Sequence, residues 1–232
     1  MNAVLAQRKY RIAGRLANDT AWTFGLFSAV AFLVLAAGSV AYRLVTGEQE
    51  EFALWLLFAI PLMMTVLGWV HLTKSYPLAL ANGLTRKEFL AGFAMFGLAT
   101  VLATAALTQL AVLILDHAPA NGSAHTMGFY GIAPFESLAR PALYFTAGAA
   151  AGAAMLRIRN RWFGALIGAL MVAAVVYRQL GYMFGVRLIE SEGTPIFDEM
   201  SDMAAYDAVL AVLFVLAAWA LLARAPMRPK PA

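Results

Sequence analysis

The sequence predicts an all-α membrane protein with six transmembrane helices and an amphipathic interfacial helix before the first of them. The first observation is composition: 62% of the 232 residues are hydrophobic, only 13% are charged, and the mean hydropathy is +0.73. Soluble domains are about one quarter charged. The second is a series of apolar runs whose lengths are close to the roughly 20 residues that a helix needs to span a bilayer. The third is the placement of Lys and Arg between those runs.

The apolar runs are predicted to be helices, because backbone groups in lipid must be hydrogen-bonded within the chain. No linker rich in Pro or Ser separates them, so a single transmembrane domain is predicted over 21–224. Residues 1–20 would precede it as a cytoplasmic amphipathic helix, and 225–232 would follow as a cytoplasmic tail. Span 1 is expected to be an uncleaved signal anchor. The six predicted spans are 23–45, 52–72, 89–115, 138–156, 162–182 and 204–223.

Lys and Arg set the predicted orientation, because cytoplasmic loops of membrane proteins are enriched in them. With six spans, 13 of the 17 basic residues fall on one side, and 11 of the 13 acidic residues fall on the other. The basic side is therefore predicted to be cytoplasmic, in a multi-pass protein of the plasma membrane with both termini inside. The outer side receives the loops 116–137 and 183–203. The net charge of +4 follows from this asymmetry, and no nucleic-acid partner is expected.

The N-terminal arm has one apolar and one basic face when drawn as a helix. Leu5, Ile12 and Leu16 share a narrow sector, whereas Arg8 and Arg11 cluster elsewhere. This pattern is typical of a helix that lies on a membrane surface and contacts its lipids. A disordered basic leader is the alternative interpretation.

The stretch ANGLTRKEF, residues 81–89, places polar and charged residues between spans 2 and 3. Pro77 is predicted to break the chain, and a short helix would end at Gly83. Thr85 and Glu88 have the spacing of a capping box that starts the next helix. Arg86 and Lys87 oppose the dipole of that helix. They are therefore expected to serve orientation, lipid headgroups or a cytoplasmic partner.

The segment YPLALANGLTRKEFLAG, residues 76–92, resembles the cytoplasmic segment of small bacterial permeases of the ABC-2 type, the type II exporter class of ABC transporters. In that class a G-x-T-R-[KR]-x-F-like sequence opens the third span. The resemblance implies that residues 76–89 form a coupling segment for a separate cytoplasmic ABC ATPase. The residues that would carry this role are Tyr76, Asn82, Gly83, Thr85, Arg86, Lys87, Glu88 and Phe89.

The resemblance also implies a second permease copy or a related permease, with ATP and Mg²⁺ bound on the partner ATPase. This chain has no G-x-x-x-x-G-K-[ST] phosphate-binding loop, so it is predicted to be a non-enzymatic subunit without a cofactor of its own. Span centres almost free of charge disfavour an ion-driven transporter. The alternative is a standalone membrane binding, immunity or accessory protein that needs no ATPase.

Further candidate sites lie outside this segment. Asp116, His117 and His125 could meet at a metal, but their spacing matches no strong pattern, so no metal site is predicted and a solvated loop is favoured. Arg178 and Asp207 are a candidate outer ion pair, unless Arg178 reaches to headgroups instead. Small residues four apart predict close helix packing, within the chain rather than at a dimer seam. These residues are Gly148 and Gly152 in span 4 and Gly164 and Gly168 in span 5.

Overall fold

The structure is a computed structural model that describes residues 2–46, 52–116, 134–158, 160–184 and 200–223. This part of the chain consists of helices and short turns and contains no strand, so the all-α prediction is confirmed. A π-helical segment, Ala21–Gly25, joins the first two helices. The α-helices are α1 (Asn2–Thr20), α2 (Leu26–Thr46), α3 (Phe52–Ala81), α4 (Arg86–Asp116), α5 (Pro134–Arg157), α6 (Arg161–Phe184) and α7 (Met200–Ala223).

Helix α5 lies at the centre of the bundle. It packs against α3, α4, α6 and α7, and 15 of its 24 residues are buried. Its buried stretch 147–154 consists entirely of Ala and Gly. Small side chains allow neighbouring backbones to approach closely, and this is how α5 can contact four helices.

The helices alternate in direction around α5. Gly148 and Gly152 of α5 face Thr65 and Trp69 of α3 in the same chain order, so these two helices are parallel. Helix α6 is antiparallel to α5, because Gly164 lies against Met155 whereas Gly168 lies against Ala151. The start of α4 meets the end of α7 through a hydrogen bond from Arg86 to Ala223.

These directions bring basic residues from different helices to one end of the bundle, here called the basic end. Its described members include Lys74, Arg86, Lys87 and Arg157. The opposite end holds the end of α2, the start of α3, the end of α4 and the start of α5. The segregation of charge that the sequence predicts therefore has a counterpart in the packing of the helices.

Among the described residues, two helical stretches are long and apolar enough to cross a membrane by length and composition. They are Arg86–Leu110 in α4 and Ala204–Ala223 in α7, with Trp162–Tyr177 in α6 a shorter apolar stretch. This finding gives weak support to a membrane protein. The count of six spans and the orientation of the termini stay predictions.

Helix α3 corrects the prediction that Pro77 breaks the chain. It runs without interruption from Phe52 to Ala81, so the segment before Gly83 is the last part of a 30-residue helix and no separate short helix. Pro77 lacks an N–H and cannot bond to the carbonyl four residues earlier. The residue is exposed near the basic end, and the α-helix continues through it.

Helices extend into the ends of both predicted outer loops, whose location outside the membrane stays a prediction. Helix α5 begins at Pro134, inside the predicted loop 116–137, and α7 begins at Met200, inside the predicted loop 183–203. The rest of these loops, 117–133 and 185–199, and the predicted tail 225–232 lie outside the described residues.

Helix α1 packs against α4 through the apolar face that the sequence predicts. Leu16 is buried in the core, and Ile12 and Ala13 pack against it, whereas Arg11 and Arg15 are exposed. A disordered leader is therefore wrong for residues 2–20. At the junction, Leu26 donates its N–H to the carbonyl of Ala21, a π-helical bond, and Thr20 hydrogen-bonds His71 of α3 at 2.9 Å.

Candidate functional site

The turn between α3 and α4 begins with a C-terminal cap that ends α3. Gly83 has a φ of +75°, a left-handed conformation that glycine adopts at little cost. Its N–H bonds to the carbonyl of Leu80 at 3.0 Å, and the N–H of Leu84 bonds to that of Ala79 at 3.1 Å. These two bonds define a Schellman motif. The side chain of Asn82 adds a bond to the carbonyl of Leu78 at 2.8 Å.

The next helix begins with a reciprocal cap. The N–H of Thr85 donates to Glu88 Oε2 at 2.9 Å, and the N–H of Glu88 donates to Thr85 Oγ1 at 3.2 Å. This is the capping box that the sequence predicts. Two caps of fixed geometry within six residues therefore set the angle at which α3 and α4 meet.

Two aromatic residues join the turn to the core. Tyr76 and Phe89 are 3% and 0% exposed, and their rings meet edge to face with centroids 5.4 Å apart. Phe89 stacks on Phe93, and Phe93 stacks on Phe145 of the central helix at 5.6 Å. A continuous aromatic column therefore connects the turn to α5.

The phenol of Tyr76 is buried, and its oxygen has no hydrogen-bond partner among the described residues. Burial raises the pKa of this phenol, and the positive charge of Arg86 acts in the opposite direction. Tyr76 therefore stays neutral at physiological pH and acts in packing.

Arg86 has a structural use that sequence reasoning missed. Its Nη1 donates to the carbonyl of Ala223, the last residue of α7, at 2.7 Å. A cation at a helix C-terminus is favourable, because the final carbonyls carry partial negative charge. Arg86 thus opposes the dipole of its own helix but complements that of α7. A long-range contact of this kind leaves no signal in the local sequence.

The remaining surface of the turn is exposed. Leu78 is 63% exposed, and Pro77, Ala81 and Lys87 are exposed near it in the chain. Exposed apolar residues and an exposed basic residue in one turn suit contact with a protein partner. Of the predicted coupling residues, Tyr76 and Phe89 are buried, Arg86 bonds to Ala223, and Lys87 is directed to the surroundings.

An apolar cleft of about 340 Å³ adjoins the turn. It lies between α4 and α7, which have few contacts with each other, and α5 forms its floor. Leu90 and Leu222 line the end nearest Arg86, and Val101 lies farther along α4. The sequence does not predict this cleft, because it forms between helices distant in the chain.

Another charged pair missed from the sequence lies at the opposite end. Arg140 forms an ion pair with Glu136 one turn earlier in α5, and Glu136 is buried. The i, i+4 spacing is a signal that could have identified this pair. It also explains why Arg140 occurs away from the other basic residues.

The predicted ion pair between Arg178 and Asp207 stays a prediction. Asp207 is 1% exposed in α7, and Arg178 lies in α6, but its side chain lies outside the described part. His117 and His125 also lie outside it. Elsewhere in the ranges given above, no group of three or more His, Asp or Glu side chains could hold a metal ion.

The predicted packing glycines all lie at contacts between helices of this chain. A Cβ on Gly148 would lie 2.0 Å from the carbonyl oxygen of Thr65, and one on Gly152 would lie 3.2 Å from that of Trp69. Gly164 and Gly168 face α5. Gly68 is a partner that the sequence analysis missed: a Cβ there would lie 2.2 Å from the carbonyl oxygen of Phe145.

Comparisons with known proteins supply no identity. No match was found among protein-family models, curated proteins or solved structures. The resemblance of residues 76–92 to ABC-2 permeases therefore rests on that motif and on the predicted architecture.

Proposed function

We propose that this chain is the six-span membrane subunit of an ABC exporter, and that residues 76–89 couple it to a separate cytoplasmic ATPase. Two copies, or one copy and a related permease, would form the translocation pathway. ATP and Mg²⁺ would bind to the ATPase. The observation that carries the proposal is the rigid turn between α3 and α4, which exposes Leu78 and Lys87 at the basic end.

The surface of the bundle supports a membrane location. The large apolar side chains of α7 are mostly directed outward: Val212, Leu216 and Trp219 are 58%, 55% and 61% exposed. Soluble monomers rarely expose contiguous apolar surface on this scale. In a bilayer the same surface would contact lipid tails, and the basic end would lie at the cytoplasmic face.

The internal contacts of the turn support a coupling role. A docking element must transmit force, and this one is fixed by two helix caps and by the aromatic column from Tyr76 to Phe145. A movement of the turn would therefore be carried to α5, which touches four other helices. The proposal requires such a connection between the ATPase and the spans.

The test is purification of the full chain from native membranes in mild detergent, with mass spectrometry of its partners. Leu78→Glu and Lys87→Glu alter the exposed face. Arg86 is left unchanged, because its replacement would also remove the bond to Ala223. Arg157→Glu is the matched control, since Arg157 is exposed at the same end but lies outside the turn.

We expect an ABC ATPase to co-purify with the wild type and with Arg157→Glu. Its recovery should fall about tenfold or more with Leu78→Glu, the loss typical of a central contact residue. Recovery of the ATPase with every variant would mean that the docking surface lies outside this turn. Absence of any ATPase, under conditions that preserve other membrane complexes, would contradict the proposal.

One observation favours the alternative, a standalone membrane binding or accessory protein. The bond between Arg86 and Ala223 gives part of the basic motif a role inside the chain, so that residue needs no cytoplasmic partner. Under this alternative, Leu78 and Lys87 would tolerate substitution, and the protein would function in a strain that lacks the ATPase.

A further inference from the structure

The cleft between α4 and α7 is lined by apolar side chains along its length. From Leu90 to Val101 it follows α4 for about 16 Å, at 1.5 Å per residue. Thr146 is a polar residue of its lining, and its hydroxyl already donates to the carbonyl of Ala142 at 2.8 Å. A polar ligand would find few partners here, because burying a polar group without a hydrogen bond is costly.

The cleft opens sideways from the bundle. Leu98 and Trp219, which belong to its two walls, are both 61% exposed. If α4 and α7 cross a membrane, as in the proposed function on which this inference rests, the opening faces the hydrocarbon of the bilayer. A flexible apolar chain about as long as the cleft could enter it from there.

Positive charge lies at one end of the cleft. Arg86 is one helical turn before Leu90, and it bonds to Ala223, the neighbour of Leu222. Its guanidinium therefore bridges the two walls where the cleft ends. The exposed Lys87 follows it. An apolar tail in the cleft would bring its headgroup to these two cations.

We propose that the cleft binds an acyl chain of an anionic phospholipid, whose headgroup lies beside Arg86 and Lys87. The apolar lining selects the tail, and the charge at the basic end selects the anionic headgroup. Each basic residue near a membrane surface favours anionic lipid by about fivefold in affinity.

Trp219 lines the cleft, so its fluorescence can report on what the cleft contains. The chain has five tryptophans. One full-length variant keeps Trp219 alone, with Trp22, Trp55, Trp69 and Trp162 changed to Phe. A second keeps only Trp162, which is 86% exposed on α6. Both are placed in phosphatidylcholine vesicles that contain a minor fraction of a lipid with brominated tails, either phosphatidylglycerol or phosphatidylcholine. Bromine quenches tryptophan fluorescence on contact.

We expect brominated phosphatidylglycerol to quench Trp219 at least about fivefold more effectively than brominated phosphatidylcholine. Lys87→Glu should abolish this preference, whereas Arg157→Glu, about two helical turns past the last cleft residue of α5, should preserve it. Ala94→Phe, which fills the cleft from an exposed position on α4, should also remove it.

Three results would overturn the inference. Equal quenching of Trp219 by the two lipids, unchanged by Ala94→Phe, would mean contact with bulk lipid only. Protection of Trp219 from both lipids, while Trp162 is quenched, would mean that a second copy or another protein covers the cleft. If neither tryptophan is quenched even in fully brominated vesicles, the chain is not embedded in the membrane, and the proposed function fails as well.

Discussion

Helices α5 and α7 have the same length, 24 residues, but opposite surfaces. The buried stretch of α5 consists of Ala and Gly, whereas α7 directs Val, Leu and Trp outward. In a soluble bundle the large apolar residues would be buried and the polar ones exposed. In this pair of helices, the Ala and Gly residues 147–154 of α5 are buried, and several large apolar residues of α7 are exposed. Helices in lipid pack in this way, because the hydrophobic effect does not drive apolar groups from lipid tails into the protein interior.

Truncation of one large side chain in each helix should give the largest difference in stability between the buried surface of α5 and the exposed surface of α7. Phe145 is 4% exposed on α5 and joins the aromatic column, whereas Leu216 is 55% exposed on α7. Phe145→Ala should lower the free energy of unfolding by about 3–5 kcal/mol. Leu216→Ala should change it by less than about 0.5 kcal/mol. Unfolding of the purified protein, measured by circular dichroism, gives both values, and similar losses would contradict the comparison.

Adding one methyl group should have opposite effects at two glycines. A Cβ on Gly148 would lie 2.0 Å from the Thr65 carbonyl oxygen, whereas a Cβ on Gly14 of α1 meets nothing within 4 Å. Gly148→Ala should destabilise the fold by about 1–3 kcal/mol, because two backbones must separate. Gly14→Ala should stabilise it by about 0.5–1 kcal/mol, because Ala favours the helix. Thermal unfolding measures the stability change of each variant. A stabilising Gly148→Ala would show that α3 and α5 are not in close contact.

At Thr85, in the turn between α3 and α4, stability should depend on the capping hydroxyl and should not depend on the volume of the side chain. Thr85→Ala removes the hydroxyl that accepts from the Glu88 N–H, at a cost of about 1 kcal/mol. Thr85→Ser keeps that hydroxyl and should be close to the wild type. The difference between their unfolding midpoints measures the cap. Equal stability of the two variants would mean that the capping box contributes nothing.

The smallest expected change in stability is that of Tyr76→Phe, and it appears at alkaline pH. Burial raises the pKa of this phenol above its ordinary value. The stability that follows is fully present below the pKa of the unfolded chain, about 10, and is lost as the pH rises through the higher folded value. Tyr76→Phe should therefore keep its stability near neutral pH and lose less of it above pH 10, in a pH series of unfolding midpoints. An identical alkaline decline in both proteins would assign the loss to other groups.

Local chemistry explains what the sequence predicts well. The left-handed glycine and the Thr–Glu spacing are short-range patterns, and both caps of the turn occur where these patterns place them. The apolar face of α1 is likewise a local periodicity, and it is the face that packs. The prediction of a break at Pro77 is wrong, because a propensity against helix was overridden in a long helix whose other residues favour it.

Contacts between distant segments account for what the sequence does not predict. The bond from Arg86 to Ala223, the cleft between α4 and α7, and the contact of Gly68 with α5 each require knowledge of which helices are neighbours. Gly148 and Gly152 indicate a packing face but do not name the helix that covers it.

The most direct test of the account is the location of the basic end. The chain has no cysteine, so single cysteines can be introduced without a background. Lys87→Cys and Arg157→Cys probe the basic end, and Thr46→Cys and Phe135→Cys probe exposed positions at the opposite end. With a membrane-impermeant maleimide, Thr46→Cys and Phe135→Cys should label in intact cells, and the other two only after permeabilisation. Labelling of all four from one side would contradict a bundle that crosses the membrane with its basic end inside.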